Sequence, residues 1–147
     1  MLRHGDAEPE GAGGDAERRL TARGEQQART AGQALARLGV SIDRAFTSPR
    51  VRARDTARLA CGALGIEPAV HAPLSGGFDA RDADELLAES PPGASLLLVG
   101  HEPDLSHLVG ALTGARIEMR KGGIAAIAGG TLVALLRPRE IQLIAGL

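Results

Sequence analysis

Residues 95–99, Ser-Leu-Leu-Leu-Val, form an apolar run that leads into Gly100, His101, Glu102 and Pro103. Apolar residues without polar alternation mark a strand covered on both faces, and such strands sit in parallel sheets with helices on either side. The rest of the chain must therefore supply helical layers. Residues 21–38 read as a helix: Thr21 can cap its start, Ala28, Ala31, Leu35 and Leu38 recur at helical spacing, and Gly39 can end it. Ser48 and Pro49 offer an N-cap and a first-turn proline for a second helix reaching Leu64 before Gly65. A brief helix over residues 82–90 carries Leu86 and Leu87. Another begins at Pro103 and Asp104, turns Leu105, Leu108, Val109 and Leu112 inward, and stops at Gly114.

Short strands fit between these helices at residues 1–4, 42–46 and 69–71. Beyond Gly114, residues 124–128, 131–136 and 141–144 read as strands joined by tight turns around Gly129, Gly130 and Pro138. Alternating strands and helices that close with hairpin strands imply an α/β fold, a three-layer α/β/α sandwich with a mostly parallel mixed sheet and an antiparallel edge. The 147 residues suit a single domain over positions 1–147, and the Gly-rich stretch at 11–14 is a loop rather than a hinge. Only Met1 and Leu2 precede Arg3, a stub where a central strand is expected.

Composition removes several functional classes. The net charge is −1 and the only aromatics are Phe46 and Phe78, so neither a basic surface nor a stacking platform for nucleic acid is present. No run of about 18 apolar residues could cross a membrane. The start lacks the basic-then-apolar pattern of a signal peptide, and Cys61 has no internal disulfide partner. These features point to a soluble, cytoplasmic protein that binds neither nucleic acid nor membrane.

In a parallel sheet, sites gather at the carboxyl ends of the strands, where loops enter helices. Three polar clusters fall there: Arg3-His4-Gly5, then Thr47-Ser48-Pro49 with Arg52, then Gly100-His101-Glu102-Pro103. At roughly 100° per residue, Arg52 shares an arc with Ala53, Thr56, Leu59, Ala60 and Ala63, whereas Arg54 and Arg58 lie opposite. An arginine on a small apolar face needs an anionic partner, either a phosphate or a carboxylate such as Glu25 or Asp55. His71 and His107 read as loop and surface residues, and the four histidines lack the local spacing of a metal site.

The sequence resembles the histidine phosphatase superfamily, the phosphoglycerate-mutase-like proteins, and within it the small SixA-like phosphohistidine phosphatases. Leu2-Arg3-His4-Gly5-Asp6-Ala7 is similar to the R-H-G-D-A opening of that branch. Arg19-Leu20-Thr21 with Gly24 is similar to its L-T-x-x-G stretch. The segment from Ser48 to Ala57 resembles S-P-x-x-R-A-x-x-T-A, and Gly100-His101-Glu102-Pro103 resembles G-H-x-P. The resemblance implies a phosphoglycerate-mutase-like fold and a phosphatase in which His4 attacks phosphorus and becomes a phosphohistidine that water hydrolyses. It implies that Arg3 and Arg52 are the catalytic arginines and His101 the second catalytic histidine. Gly5, Ser48 and Glu102 are candidate substrate-binding residues. The chemistry is coherent: imidazole is a good nucleophile near neutral pH, and guanidinium forks suit the equatorial phosphoryl oxygens. With that much fixed positive charge, neither a metal nor another cofactor is required.

Larger family members carry a glutamate general acid on an insertion after the third strand. Here residues 72–94 leave room for about one short helix, and Asp6, Asp79 and Glu102 are acid candidates by position only. Asp79 or Asp82 could equally cap the helix that follows. The expected substrate is a phosphorylated protein bearing phosphohistidine, because its leaving group asks less of an acid. The alternatives are a small phosphate ester or a non-catalytic module that binds phosphate or another anion.

Overall fold

The computed structural model describes residues 1–147. Its strands are β1 (Leu2–Arg3), β2 (Arg44–Thr47), β3 (Pro68–Val70), β4 (Leu96–Gly100), β5 (Ile124–Ala128) and β6 (Thr131–Leu136). The helices are α1 (Ala22–Arg37), α2 (Val51–Gly62), α3 (Ala80–Ala88), α4 (Asp104–Thr113) and α5 (Pro138–Ala145), with single 3₁₀ turns at Asp15–Glu17 and Ala72–Ser75. One six-stranded sheet runs in the order β3-β2-β4-β1-β5-β6. The pairs β3/β2, β2/β4 and β4/β1 are parallel, and β1/β5 and β5/β6 are antiparallel.

The apolar run behaves as its composition requires. Leu97 and Val99 of β4 join Ala31, Ala34, Ala53, Ala57, Ala60 and Ile141 in a core beneath α1, α2 and α5. Leu98, one residue out of phase, points the other way, to Phe46, Leu74, Phe78, Leu86 and Leu108 beneath α3 and α4. Strand alternation thus divides one segment between two helical layers, and the three-layer sandwich follows. The first layer is unusually close. A side chain at Gly32 of α1 would run into the Ala60 carbonyl of α2.

Capping sets several boundaries. Thr21 Oγ1 accepts from the Gly24 N–H at the start of α1. Asp79 and Asp82 cap α3 reciprocally: Asp79 Oδ1 accepts from the Asp82 N–H at 3.2 Å, and Asp82 Oδ2 accepts from the Asp79 N–H at 3.0 Å. Gly114, at φ 75°, ends α4.

Two expectations need correction. Residues 141–144 are not a strand but part of α5. Pro138 occupies its first turn, Glu140 accepts from the Arg137 N–H at 2.8 Å, and Ile141, Ile144 and Ala145 form a helical stripe against the core. Ser48 does not cap α2, which begins only at Val51 with Arg50 at the N-cap position. β1 is the stub expected, two residues long, yet it sits centrally between β4 and β5.

Candidate active site

The three polar clusters meet because β2, β4 and β1 are consecutive in the sheet. The ladder continues past the strand ends, with the His4 N–H donating to the Gly100 carbonyl at 3.1 Å and the Ser48 N–H to the Val99 carbonyl at 3.0 Å. His4, Ser48 and His101 are thereby brought to one edge of the sheet. Arg52 reaches them from the first turn of α2, where Ala53, Thr56, Ala57, Ala60 and Cys61 share its buried face. Arg54 and Arg58 are exposed, as their positions on the helix required.

The rings of His4 and His101 lie 5.1 Å apart between centroids, tilted by 54°, and both are more than nine-tenths buried. His4 Nδ1 is 2.7 Å from the Gly5 carbonyl. A carbonyl only accepts, so Nδ1 carries the proton and Nε2 presents its lone pair. The Arg52 Nε–H donates to that Nε2 at 3.3 Å. Burial, together with the charges of Arg52, Arg3 and Lys121, brings the His4 pKa down to about 4 despite the opposing Gly5 hydrogen bond. Its Nε2 is therefore unprotonated at neutral pH.

His101 is oriented by Ser48, whose Oγ lies 2.7 Å from Nε2 and also accepts the Arg50 N–H at 3.2 Å. The arrangement that uses the hydroxyl hydrogen has Ser48 donating to Nε2 and the imidazole proton on Nδ1. That Nδ1 is buried and has no partner within the protein. Burial, then the neighbouring His4 and Arg52, lowers the His101 pKa to about 3, so this ring acts as a neutral donor rather than an imidazolium.

Each guanidinium is held. Arg3 donates from Nη1 to the Met119 carbonyl at 2.7 Å, while its buried Nε is left without a partner. Arg52 gives both terminal nitrogens to Asp15: Nη1 to the backbone carbonyl at 2.7 Å and Nη2 to Oδ2 at 3.1 Å. The carboxylate opposite Arg52 is thus Asp15, not Glu25 or Asp55, which face Arg29 and Arg58. The sequence reading missed Asp15. Its only local signal is an acid in a Gly-rich loop three residues before Arg18, with which it pairs at 3.1 Å.

The other candidates separate by their contacts. The Gly5 N–H is taken by Thr56 Oγ1 at 3.0 Å, and a side chain at Gly5 would collide with the Gly24 backbone. The glycines of the first two motifs therefore allow the first loop to lie against α1. Glu102 has one buried carboxylate oxygen, Oε1, without a partner, and its charge opposes the loss of the Arg3 proton. Asp6 is bound to Lys121 Nζ at 2.8 Å and to Thr21 at 3.1 Å; these bonds hold its carboxyl below the usual range. Asp79 is spent on the α3 cap. His71 packs edge-on against Phe46 and Phe78, and His107 is exposed.

The sequence profile of the histidine phosphatase superfamily, branch 1, matches residues 1–75. The chain belongs to the histidine phosphatase superfamily. An uncharacterized protein of Picosynechococcus sp. is 37% identical over 123 residues, covering 79% of this chain and 74% of that one. Among solved structures, the protein histidine phosphatase SixA complexed with tungstate superposes with a TM-score of 0.85 at 26% identity, over 95% of this chain and 96% of that one. A structure from Agrobacterium tumefaciens assigned as the phosphohistidine phosphatase SixA has the same fold, with a TM-score of 0.80 at 22% identity over 93% of this chain and 95% of that one. The superfamily, the phosphoglycerate-mutase-like fold and the likeness to SixA agree with the resemblance drawn from the motifs. No helix is long and apolar enough to cross a membrane.

Proposed function

We propose that this chain is a phosphohistidine phosphatase that works through a covalent intermediate on His4. The observation that carries this reading is the unprotonated Nε2 of His4 facing the Arg52 Nε–H, beside a His101 Nδ1 that has no other partner. His4 Nε2 attacks phosphorus, the N–P bond to the leaving imidazole breaks, and a phosphoryl group rests on His4. Water then attacks that phosphorus and restores the imidazole. Arg52 and Arg3 take the equatorial oxygens, with Arg3 offering its unpaired Nε, and His101 adds a neutral N–H.

The leaving group favours phosphohistidine. A phosphorylated imidazole protonated on its other nitrogen departs as a neutral ring whose conjugate acid has a pKa near about 6.5, whereas an alkoxide must be protonated as it leaves. Asp79 is engaged in capping and Asp6 is bound to Lys121. Glu102 is the remaining acid candidate. The relative that binds tungstate, a tetrahedral oxyanion, is a protein histidine phosphatase, which supports the same substrate class. On this reading the partner is a cytoplasmic phosphotransfer protein, and catalysis needs no metal.

A second reading, hydrolysis of a small phosphate ester, draws on the same fold in an Entamoeba histolytica phosphoserine phosphatase complexed with 3-phosphoglyceric acid. Phosphohistidine protein, p-nitrophenyl phosphate, 3-phosphoglycerate and a nucleotide panel should be assayed with and without EDTA. Preference for phosphohistidine, unaffected by EDTA, is expected; a preferred alkyl phosphate would overturn the substrate assignment. Rapid acid quench with ³²P-labelled substrate should trap label on the chain, and His4→Ala should abolish both label and turnover, by about 10⁴-fold or more.

A further inference from the structure

We propose that Asp15 is a positioning residue for phosphoryl transfer, one that aims the guanidinium of Arg52. The inference rests on His4 being the nucleophile and extends it to a residue in the loop between β1 and α1. A guanidinium has two usable edges: an end-on edge between its terminal nitrogens, and a side-on edge made by Nε–H and one terminal N–H. Asp15 consumes the end-on edge of Arg52, with its own carbonyl at 2.7 Å and its Oδ2 at 3.1 Å. What remains is the side-on edge, whose Nε–H points at His4 Nε2 from 3.3 Å. A phosphoryl group arriving at His4 takes over the Nε–H from His4 Nε2 and meets beside it the second N–H of the neighbouring terminal nitrogen, both already oriented.

Asp15 is itself held in place. Arg50 Nη1 reaches its Oδ2 at 2.7 Å, and Arg18 Nη1 reaches its Oδ1 at 3.1 Å. Arg18 Nε in turn donates to the Glu8 carbonyl at 2.7 Å, which closes the loop on itself together with the Glu8 N–H to Arg19 carbonyl bond at 2.9 Å. Gly14, just before the turn, has φ 81° and ψ 178°, a conformation that a residue with a side chain avoids. The loop therefore delivers both the carbonyl and the carboxylate of one residue to one guanidinium. Arg52 is nearly fully buried, whereas the Asp15 side chain is 40% exposed, so the carboxylate reaches in from the surface.

The opposite role, an internal anion that blocks Arg52 until substrate displaces it, would require Asp15 to occupy the edge facing His4. It does not. The two roles also predict opposite responses. Tungstate affinity by calorimetry, and kcat and KM on a phosphohistidine-bearing protein, should be compared in wild type, Asp15→Ala and Asp15→Asn. Loss of aim in Asp15→Ala should weaken tungstate binding about tenfold and lower kcat/KM by about ten- to a hundredfold. Asp15→Asn, which keeps an acceptor at the same reach, should stay within about threefold of wild type. Combining Asp15→Ala with Arg52→Lys should add no further loss to that of Arg52→Lys alone. Unchanged or tighter tungstate binding in Asp15→Ala would overturn the proposal, as would equal losses in Ala and Asn or an undiminished Asp15 effect with Lys at position 52. Should Asp15→Ala not fold, Asp15→Ser, whose hydroxyl is too short to reach the Arg52 guanidinium, takes its place in the same comparisons. If wild type hydrolyses none of the substrates while the tungstate pattern holds, the function proposed above fails, and Asp15 keeps only the aiming of Arg52 at a bound anion.

Discussion

The parallel half of the sheet and its antiparallel edge are built from similar aliphatic residues but do different work. Strands β2, β4 and β1 each end in a loop that enters a helix or leads toward one, and those ends carry Ser48, His101, and Arg3 with His4. The β5–β6 hairpin returns directly on itself through Gly129 and Gly130 and carries none of the candidate groups. Its outer strand leaves Val133 and Leu135 at 59% and 40% exposure. The edge serves mainly as a wall, and the segment leading into β5 contributes mostly main chain to the site: the Met119 carbonyl to Arg3 and the Gly122 N–H to the Arg3 and His4 carbonyls, with the Lys121 side chain on Asp6 adding a charged group there. Parallel connections therefore place charged and buried groups where strand ends converge, while a hairpin offers no such convergence.

If that contrast is right, perturbations of the parallel half should dominate. The largest expected effect is on acid stability. Both imidazoles stay neutral in the fold, with pKa values of about 4 and 3, but take up protons near 6.5 when the chain unfolds. Their contribution is complete above pH 6.5 and is lost as pH falls below it, by about 2 kcal/mol each at pH 5. Denaturant titrations at pH 8 and pH 5 should show the loss, and His101→Asn should remove about half of it; a flat profile would contradict the neutral pair.

Arg52→Lys comes next. It keeps the charge but loses the planar fork, and should lower kcat/KM by about 10² to 10³. Full activity in this variant would mean that charge alone suffices at the start of α2. Ser48→Ala should cost about tenfold in kcat, since His101 loses the hydroxyl that fixes its tautomer while its position in the fold is kept. Val133→Thr on β6 should change stability by less than about 0.5 kcal/mol and leave activity unaltered. A sizeable activity loss there would break the division between working half and wall.

Features set within a few residues of each other could be read directly from the sequence. The apolar run of β4 announced a covered strand, Thr21 and Gly114 marked helix ends, and helical spacing placed Arg52 among small residues on a buried face. The four residues implied by the motifs, Arg3, His4, Arg52 and His101, do lie together. Local pattern failed where it was ambiguous. Ile-Gln-Leu-Ile at 141–144 alternates like a strand, but only a helix begun at Pro138 buries Ile141 with Ala145 and leaves Leu143 at the surface.

Tertiary structure alone decided which partner each polar group receives. Asp15 and Arg52 are 37 residues apart, and Ser48 and His101 are 53 apart. No periodicity links such pairs, because their meeting depends on strand order and on how a loop returns to the sheet. The sequence determined that an arginine and two imidazoles would require polar or anionic company at the strand ends. Folding chose that company, since a buried charge or N–H takes whichever complementary group the chain's path brings within hydrogen-bond reach.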